Sequence, residues 1–418
     1  LSEDLITIPF VLLLLSIALI PLINQSWWVK NYYSVSVILA VIVAAHYAIN
    51  SKISDIVFAL EDYIKFISLL ASLYVVSGGI FIGIKGASTP LKNLMLLSIG
   101  AVLANIIGTT GASMLLIRPY VKTNKLRISN YHIVFFIFIV SNAGGALTPI
   151  GDPPLFLGYL KGIPFFWIIE KIFFEWLLVM FLLLVVFYVF DRINFKKQPL
   201  PLQEEEIKTH EKIELKGLFN FLFLGIIIAS VFITSPLFLR EAIMLLSAVL
   251  SYKMTGKEIH KRNHFAFLPI NEVAWLFLGI FITMTPVLEL LSNHSKGLGI
   301  TSVSNYYWLT GLLSSFLDNA PTYLTFLAAA MGIYDLNINS ISNVLLFITE
   351  HQQYVIAVSL SSVFFGAMTY IGNGPNFMVK SIAESRNIKT PGFLGYIFKY
   401  SIPILLPIYS LIWWLFIK

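Results

Sequence analysis

Four apolar segments of this 418-residue chain carry helix-breaking polar residues at their centres. The breaks are Gly108-Thr109-Thr110-Gly111, Thr148-Pro149-Ile150-Gly151-Asp152-Pro153-Pro154, Asp318-Asn319-Ala320-Pro321-Thr322 and Thr369-Tyr370-Ile371-Gly372-Asn373-Gly374-Pro375-Asn376. Irregular backbone is tolerated at membrane depth only where protein buries it or a wet cavity bathes it, because hydrocarbon offers no hydrogen-bond partner. Four such breaks require a fold built around a polar interior.

Composition supports a membrane setting. Hydrophobic residues make up 57% of the chain and charged residues 12%, about half the roughly 25% charge of a soluble domain. A soluble enzyme, a disordered protein and a nucleic-acid binder are excluded, although the net charge is +6. There is no cysteine, which removes thiolate metal sites, disulfides and thiol catalysis. The lipid bilayer is the expected surrounding.

Apolar windows fall at 5–23, 33–50, 63–84, 91–119, 131–160, 164–190, 217–235, 237–252, 265–290, 303–333, 351–385 and 393–417. The first is too long, and too poor in small residues at its end, for a signal peptide, and reads as a span. Segment 91–119 has Lys85 and Lys92 before it and Arg118, Lys122, Lys125 and Arg127 after it. Both ends therefore read as cytoplasmic, and the segment as a re-entrant hairpin. Segment 303–333, flanked by Lys296 alone, reads as a second hairpin from the opposite face. Ten spans remain. Loops 24–32, 85–92, 120–130, 191–216, 253–264 and 386–392 then hold 18 of the 28 Lys and Arg residues, against five in external segments. That asymmetry places both termini outside.

Each half reads as three spans, a hairpin, a broken span and a last span, in opposite orientations. The expected organisation is an all-α polytopic membrane protein made of two inverted repeats, residues 1–190 and 217–418, joined by a cytoplasmic linker at 191–216. Thr148, Ile150, Gly151, Pro154 and Phe156 match Thr369, Ile371, Gly372, Pro375 and Phe377 at a constant offset of 221. Gly145-Ala146 and Gly366-Ala367 share that register. The hairpin tips align Thr110–Ser113 with Asn319–Thr322. The linker, with Glu204-Glu205-Glu206, reads as a solvated charge run.

At such breaks, half-helix ends offer N–H groups and carbonyls, and nearby oxygens complete a cage of the kind hard cations prefer. Asp152 and Asp318 are the carboxylates inside the breaks. Burying an Asp at the bilayer centre costs roughly 2.5–3.5 kcal/mol or more, so each requires an ion, a proton or a partner. Either could instead cap the helix that follows it. Thr109, Thr110, Asn142, Thr148, Asn319, Thr322, Thr369, Asn373 and Asn376 are the other candidate oxygen ligands. A Na⁺ or Li⁺ set of Asp152, Asp318, Asn142 and Asn373 is the expectation. Glu170, Lys171 and Glu175 read as an intrahelical or interfacial group, Glu272 and Glu289 as reaching water, and His46 as an interfacial residue.

Ser141-Asn142-Ala143-Gly144-Gly145-Ala146-Leu147-Thr148-Pro149-Ile150-Gly151-Asp152 resembles the signature of NhaD-type sodium/proton antiporters in the ion transporter superfamily. Asp318-Asn319-Ala320-Pro321 resembles the Asp-Asn pair of that family's second half. Pro153-Pro154 and Gly111-Ala112-Ser113 look more like the arsenite permease branch. The resemblance implies a scaffold that dimerises and a mobile domain, holding both hairpins and both broken spans, that moves like an elevator. It implies ion exchange at Asn142, Asp152 and Asp318. It also implies a multi-pass protein of a bacterial inner membrane. This chain departs from the family at the first hairpin, where Gly108-Thr109-Thr110 replaces an acidic residue.

The leading expectation is an antiporter exporting Na⁺ (or Li⁺) in exchange for H⁺, with no cofactor. The alternative is an arsenite or dicarboxylate permease. The absence of Lys and Arg at every break argues against a dicarboxylate. An intramembrane aspartyl protease is disfavoured because Pro149 occupies the position where that family needs glycine.

Overall fold

The computed structural model describes residues 5–86, 88–199 and 212–418. The Glu204–Glu206 run lies outside them. The chain folds as α1 (Ile8–Ile49), α2 (Ile53–Gly78), β1 (Phe81–Lys85), α3 (Pro90–Thr123), α4 (Asn130–Ile139), α5 (Pro153–Leu160) and α6 (Trp167–Lys196). These are followed by β2 (Lys212–Lys216), α7 (Asn220–Ser230), α8 (Leu239–Met254), α9 (Lys257–Arg262) and α10 (Leu268–His294). Then come α11 (Val303–Ser314), α12 (Asn319–Gly332), α13 (Ile341–Glu350), α14 (Gln352–Phe365), α15 (Gly374–Glu384) and a last helix, α16, over Phe393–Ile417. Among the described residues six helices are long and apolar enough to cross a membrane: Ile23–Ile49, Pro90–Thr123, Asn130–Leu147, Trp167–Lys196, Leu268–Leu298 and Phe393–Ile417. Leu5–Pro21, Asn220–Ser230, Ile341–Glu350 and Gln352–Met368 are apolar but shorter.

Several expected boundaries move. Residues 24–32 are not a loop: α1 runs through them and leaves helical space only at Asn24 (φ −148°, ψ 79°). The chain turns back there, since Ile6 and Tyr47 line one cavity. Window 63–84 ends in a strand rather than a helix. β1 pairs antiparallel with β2, Phe81 opposite Lys216 and Lys85 opposite Lys212, so the described residues are helical with one two-stranded sheet. The linker, expected to be solvated from residue 191 on, begins inside α6, where Asp191 is fully buried. Residues 341–350, expected to be an external segment, form α13.

α3 is apolar throughout its length yet is not one straight crossing. Thirty-four helical residues would extend ~50 Å, but the Ser88 N–H donates to the Thr123 carbonyl at 3.1 Å, and Asn93 and Asn124 exchange amide hydrogen bonds at 2.7 and 2.8 Å. The reversal is at Gly108, whose φ of 78° and ψ of 154° suit only a residue without Cβ. α11 and α12 form a second helical hairpin. Its ends meet at Tyr354, which donates to the Thr301 carbonyl at 2.5 Å and accepts from the Tyr334 hydroxyl at 3.3 Å.

The two hairpins enter from opposite ends of α10. The base of the first lies beside Arg262 and Asn263, just before α10 begins. The base of the second rests on its far end, with Gly332 against Leu291 and Ser292. At mid-length, α10 crosses α2 through aromatic packing: Phe66 stacks on Phe277 at 4.7 Å and sits 5.5 Å from Phe281. Each such pair contributes about 0.5–1.5 kcal/mol beyond area burial. α1 packs on α10 and α2 on α8, so a frame of long helices flanks the space where the hairpin tips converge.

Candidate functional site

Two interrupted helices cross in that space. α4 ends at Ile139, a 3₁₀ turn spans Ala143–Leu147, and α5 restarts at Pro153. α14 ends at Phe365, a 3₁₀ turn spans Gly366–Met368, and α15 restarts at Gly374. Proline in the first turn suits each restart, because its missing N–H is an orphan there anyway. Residues 221 positions apart adopt the same backbone. Asp152 has φ −139° and ψ 143° where Asn373 has −147° and 139°; Thr148 has −127° and 153° where Thr369 has −137° and 168°. Each Thr hydroxyl donates to a hairpin carbonyl, Thr148 to Asn105 at 2.6 Å and Thr369 to Ser315, and each accepts from the glycine three residues on. A Cβ on Gly151 would lie 2.1 Å from the Gly145 carbonyl oxygen, so the first loop closes only with glycine at that point.

Asp152 occupies the N-cap position of α5, yet its side chain makes no capping bond. It is 1% exposed and turns toward the tips of both hairpins. Thr109 donates to Oδ1 at 2.8 Å, Asn373 to Oδ1 at 3.2 Å and Asn319 to Oδ2 at 3.1 Å. All three donors are neutral, and the ion pairs among the described residues lie elsewhere. Hydrogen bonds to a charged acceptor are worth about 1.5–3 kcal/mol each, while the effective penalty for burying an ion is several kcal/mol. The opposing terms are of similar size. The Thr109 hydroxyl can also turn from donor to acceptor, so the same cradle accommodates a carboxylate or a carboxylic acid.

Asp318 takes the other role. It caps α12, accepting from the Ala320 N–H at 3.0 Å, while Thr322 donates back to its carbonyl at 2.9 Å. Asp318 lines a cavity of about 90 Å³ together with Thr109, Thr110, Gly151, Pro153 and Asn373, closed on the frame side by Tyr74 of α2 and Phe277 of α10. The expected ion set joins both carboxylates with Asn142 and Asn373. Only Asp318 lines the cavity; Asp152 sits one layer behind, linked to it through Thr109 and Asn373.

A chain of amides joins the two breaks. Asn373 donates to Asn142 Oδ1 at 3.1 Å, Asn142 to Asn376 Oδ1 at 2.6 Å, and Asn376 to the Gly366 and Thr369 carbonyls at 2.8 and 3.0 Å. Asn142 and Asn376 are therefore brace residues with their amide hydrogens committed. Thr148 and Thr369 likewise hold the loops. The hairpin residues in equivalent posts are Thr109 and Asn319, one position earlier than the expected alignment of Thr110 with Asn319. No group of three or more His, Asp and Glu residues occurs among the described residues. Carboxylate, amide, hydroxyl and carbonyl oxygens, the donors present here, are ligand types that hard cations prefer over transition metals.

Sequence reasoning passed over Asn105, which donates to the Gly144 carbonyl at 2.5 Å and accepts from the Leu147 N–H at 2.9 Å. A lone amide three positions before the hairpin glycine was the available signal. It also passed over Ser314, which bridges Asn319 and the Ser362 carbonyl at 2.7 and 2.6 Å. Arg127 had been counted as a cytoplasmic loop charge. It is buried in an ion pair with Asp191, which also receives Tyr131 at 2.7 Å and Asn93 at 2.8 Å. Elsewhere, Lys171 lies 3.6 Å from Glu170, Glu175 is buried, and Glu289 pairs with Lys52 at 2.5 Å.

A family model, CitMHS_2, described as putative citrate transport, matches residues 2–417. No curated protein matches the chain. The family match supports a transporter of the ion transporter superfamily without singling out its NhaD-type branch.

Proposed function

The chain belongs to the CitMHS_2 family, and from that premise we propose that it is a secondary transporter exchanging Na⁺ (or Li⁺) for H⁺ at Asp152 and Asp318. The observation that carries this reading is the buried Asp152 carboxylate, held by three neutral donors from both hairpin tips and the opposite break. A proton and a cation compete for such a group, and mutual exclusion is what obligatory exchange requires. Two inverted repeats with re-entrant hairpins, basic loops in the cytoplasm and an elevator movement of the hairpins and broken helices against α1, α2, α7, α8 and α10 complete the proposal. The Asp318 cavity is where hydrated ions would enter, because it lies between the frame and the moving elements.

A second reading is favoured by the family description and by one structural feature. Helices α5, α12 and α15 all begin at the site, through Asp152, Asp318 and Asn373. Their N-termini present partial positive charge. With a cation bound to the carboxylates, that field suits a polycarboxylate such as citrate, moved together with the cation. Proteoliposomes carrying an internal pH dye separate the readings. Exchange predicts dye responses to Na⁺ and Li⁺ pulses with no carboxylate present. Co-transport predicts that labelled citrate enters only with Na⁺ or H⁺, and that Na⁺ alone moves no protons. The second pattern would end the antiporter reading.

A further inference from the structure

Away from the broken helices, a cavity of about 920 Å³ opens between the base of the first hairpin, the start of α4, the end of α15 and α16. Lys122, Lys125, Arg386 and Lys389 line it, and no carboxylate does. All four are exposed. The neighbouring acids are already matched: Asp191 by Arg127, Glu214 by Arg262 at 2.8 Å, and Glu384 by Lys380 at 2.7 Å. Four cations therefore converge on one concavity that, among the described residues, no carboxylate lines. Like-charge crowding of this kind raises the free energy of the unoccupied protein, and an anion relieves it.

The remaining lining says which anion. Ser129 and Asn130, at the N-terminus of the ten-residue α4, open into the cavity and add the positive end of a helix. Ile128, Ile388 and Tyr400 supply an apolar wall. Tyr400 belongs to α16, whose Leu394 and Phe398 are each 65% exposed, as on a lipid-facing surface. The cavity thus sits where a span emerges from hydrocarbon, at headgroup level, and is far larger than a free phosphate or citrate needs. Basic pockets between spans on the positive face are where anionic headgroups bind.

We propose that this cavity is a binding site for the phosphate headgroup of an anionic phospholipid. The ligand bridges hairpin base (Lys122, Lys125) and broken-helix end (Arg386, Lys389), so it clamps two elements of the proposed moving unit. The site is independent of the ion exchanged at Asp152.

The test uses the full-length protein in phosphatidylcholine nanodiscs doped with phosphatidylglycerol or cardiolipin, with bound lipid counted by native mass spectrometry after release into mild detergent. Wild type is expected to retain anionic lipid selectively. Each basic residue near a membrane surface is worth about fivefold in affinity, so Lys122→Gln/Arg386→Gln should lower retention at least tenfold, and the quadruple variant with Lys125→Gln and Lys389→Gln should abolish it. Lys257→Gln/Lys261→Gln, which removes the same charge from another exposed stretch, should retain the lipid. Equal retention in wild type and the double variant would overturn the proposal. So would displacement of the lipid by inorganic phosphate or citrate at equal concentration, which would make this a site for a soluble anion.

Discussion

At the residue scale, Asp152 is distinguished by what it does not do. A carboxylate at the first position of a proline-started helix ordinarily caps it; this one leaves the cap unmade and gathers donors from three other elements. Asp152→Asn and Asp318→Asn are each expected to abolish cation-driven proton movement in proteoliposomes. Asp318→Asn keeps an oxygen for the Ala320 N–H and should change stability by less than about 1 kcal/mol; in Asp152→Asn the new amide meets the Asn319 or the Asn373 donor, so stability should fall by roughly 1–3 kcal/mol. Asn373→Ala acts differently. It removes one of two donors to Oδ1 and strands the Asn142 carbonyl oxygen, so the cation affinity should fall roughly tenfold or more while exchange persists. Glu175→Gln, outside the site, should retain most activity. Near-normal exchange by Asp152→Asn would reduce that carboxylate to a structural group.

At the element scale, the sheet formed by β1 and β2 stitches the chain after α2 to the chain before α7. Its anchor is Glu214, which accepts from both terminal nitrogens of Arg262 at 2.8 and 3.0 Å, while the same guanidinium lies 3.9 Å over the Phe81 ring. Arg262, and after it Lys216, hold the Glu214 carboxyl down at about 2. The folded value is below the ordinary value of 4.5. Its contribution is therefore complete above about pH 4.5 and disappears as pH falls toward 2. Hydrogen exchange of the 81–85 and 212–216 amides, corrected for intrinsic rate, should be flat between pH 5 and 8 and accelerate below 4.5. In Glu214→Gln the strands should be looser throughout and the acid step absent. An unchanged acid step in that variant would assign the transition to another group.

At the scale of the molecule, two hairpins approach from opposite ends of α10 and touch one carboxylate between them. Single cysteines are clean probes in a chain without any. Lys92→Cys and Lys125→Cys, at the two ends of the first hairpin, should label from the same side of the membrane. Lys296→Cys, beside the second hairpin, should label from the other. Labelling of positions 92 and 125 from opposite sides would mean that α3 crosses the bilayer. The proposed elevator movement would need a fixed partner to move against, so a homodimer through the frame helices is expected. Mass photometry in mild detergent that finds monomer at every concentration would argue strongly against it.

Much of this protein was legible in its sequence because the relevant physics is local. Gly151-Asp152-Pro153-Pro154 and Gly372-Asn373-Gly374-Pro375 cannot continue a helix, since proline lacks the donor and glycine lacks the restraint, and each marks the point where the interruption ends and a new helix begins. The polar oxygens at those stops were visible for the same reason. Tertiary structure alone decided which of them meet. Thr109, Asn319 and Asn373 reach Asp152 across 43, 167 and 221 residues, separations at which spacing carries no directional information. It also decided that Asp152 turns inward while Asp318 caps, a choice made by which donors lie within hydrogen-bond reach rather than by residue type. Arg127 and Asp191 read as solvated charges because each sits beside polar neighbours in the chain; only folding, which brings the hairpin base against α6, removes both from water and makes them partners.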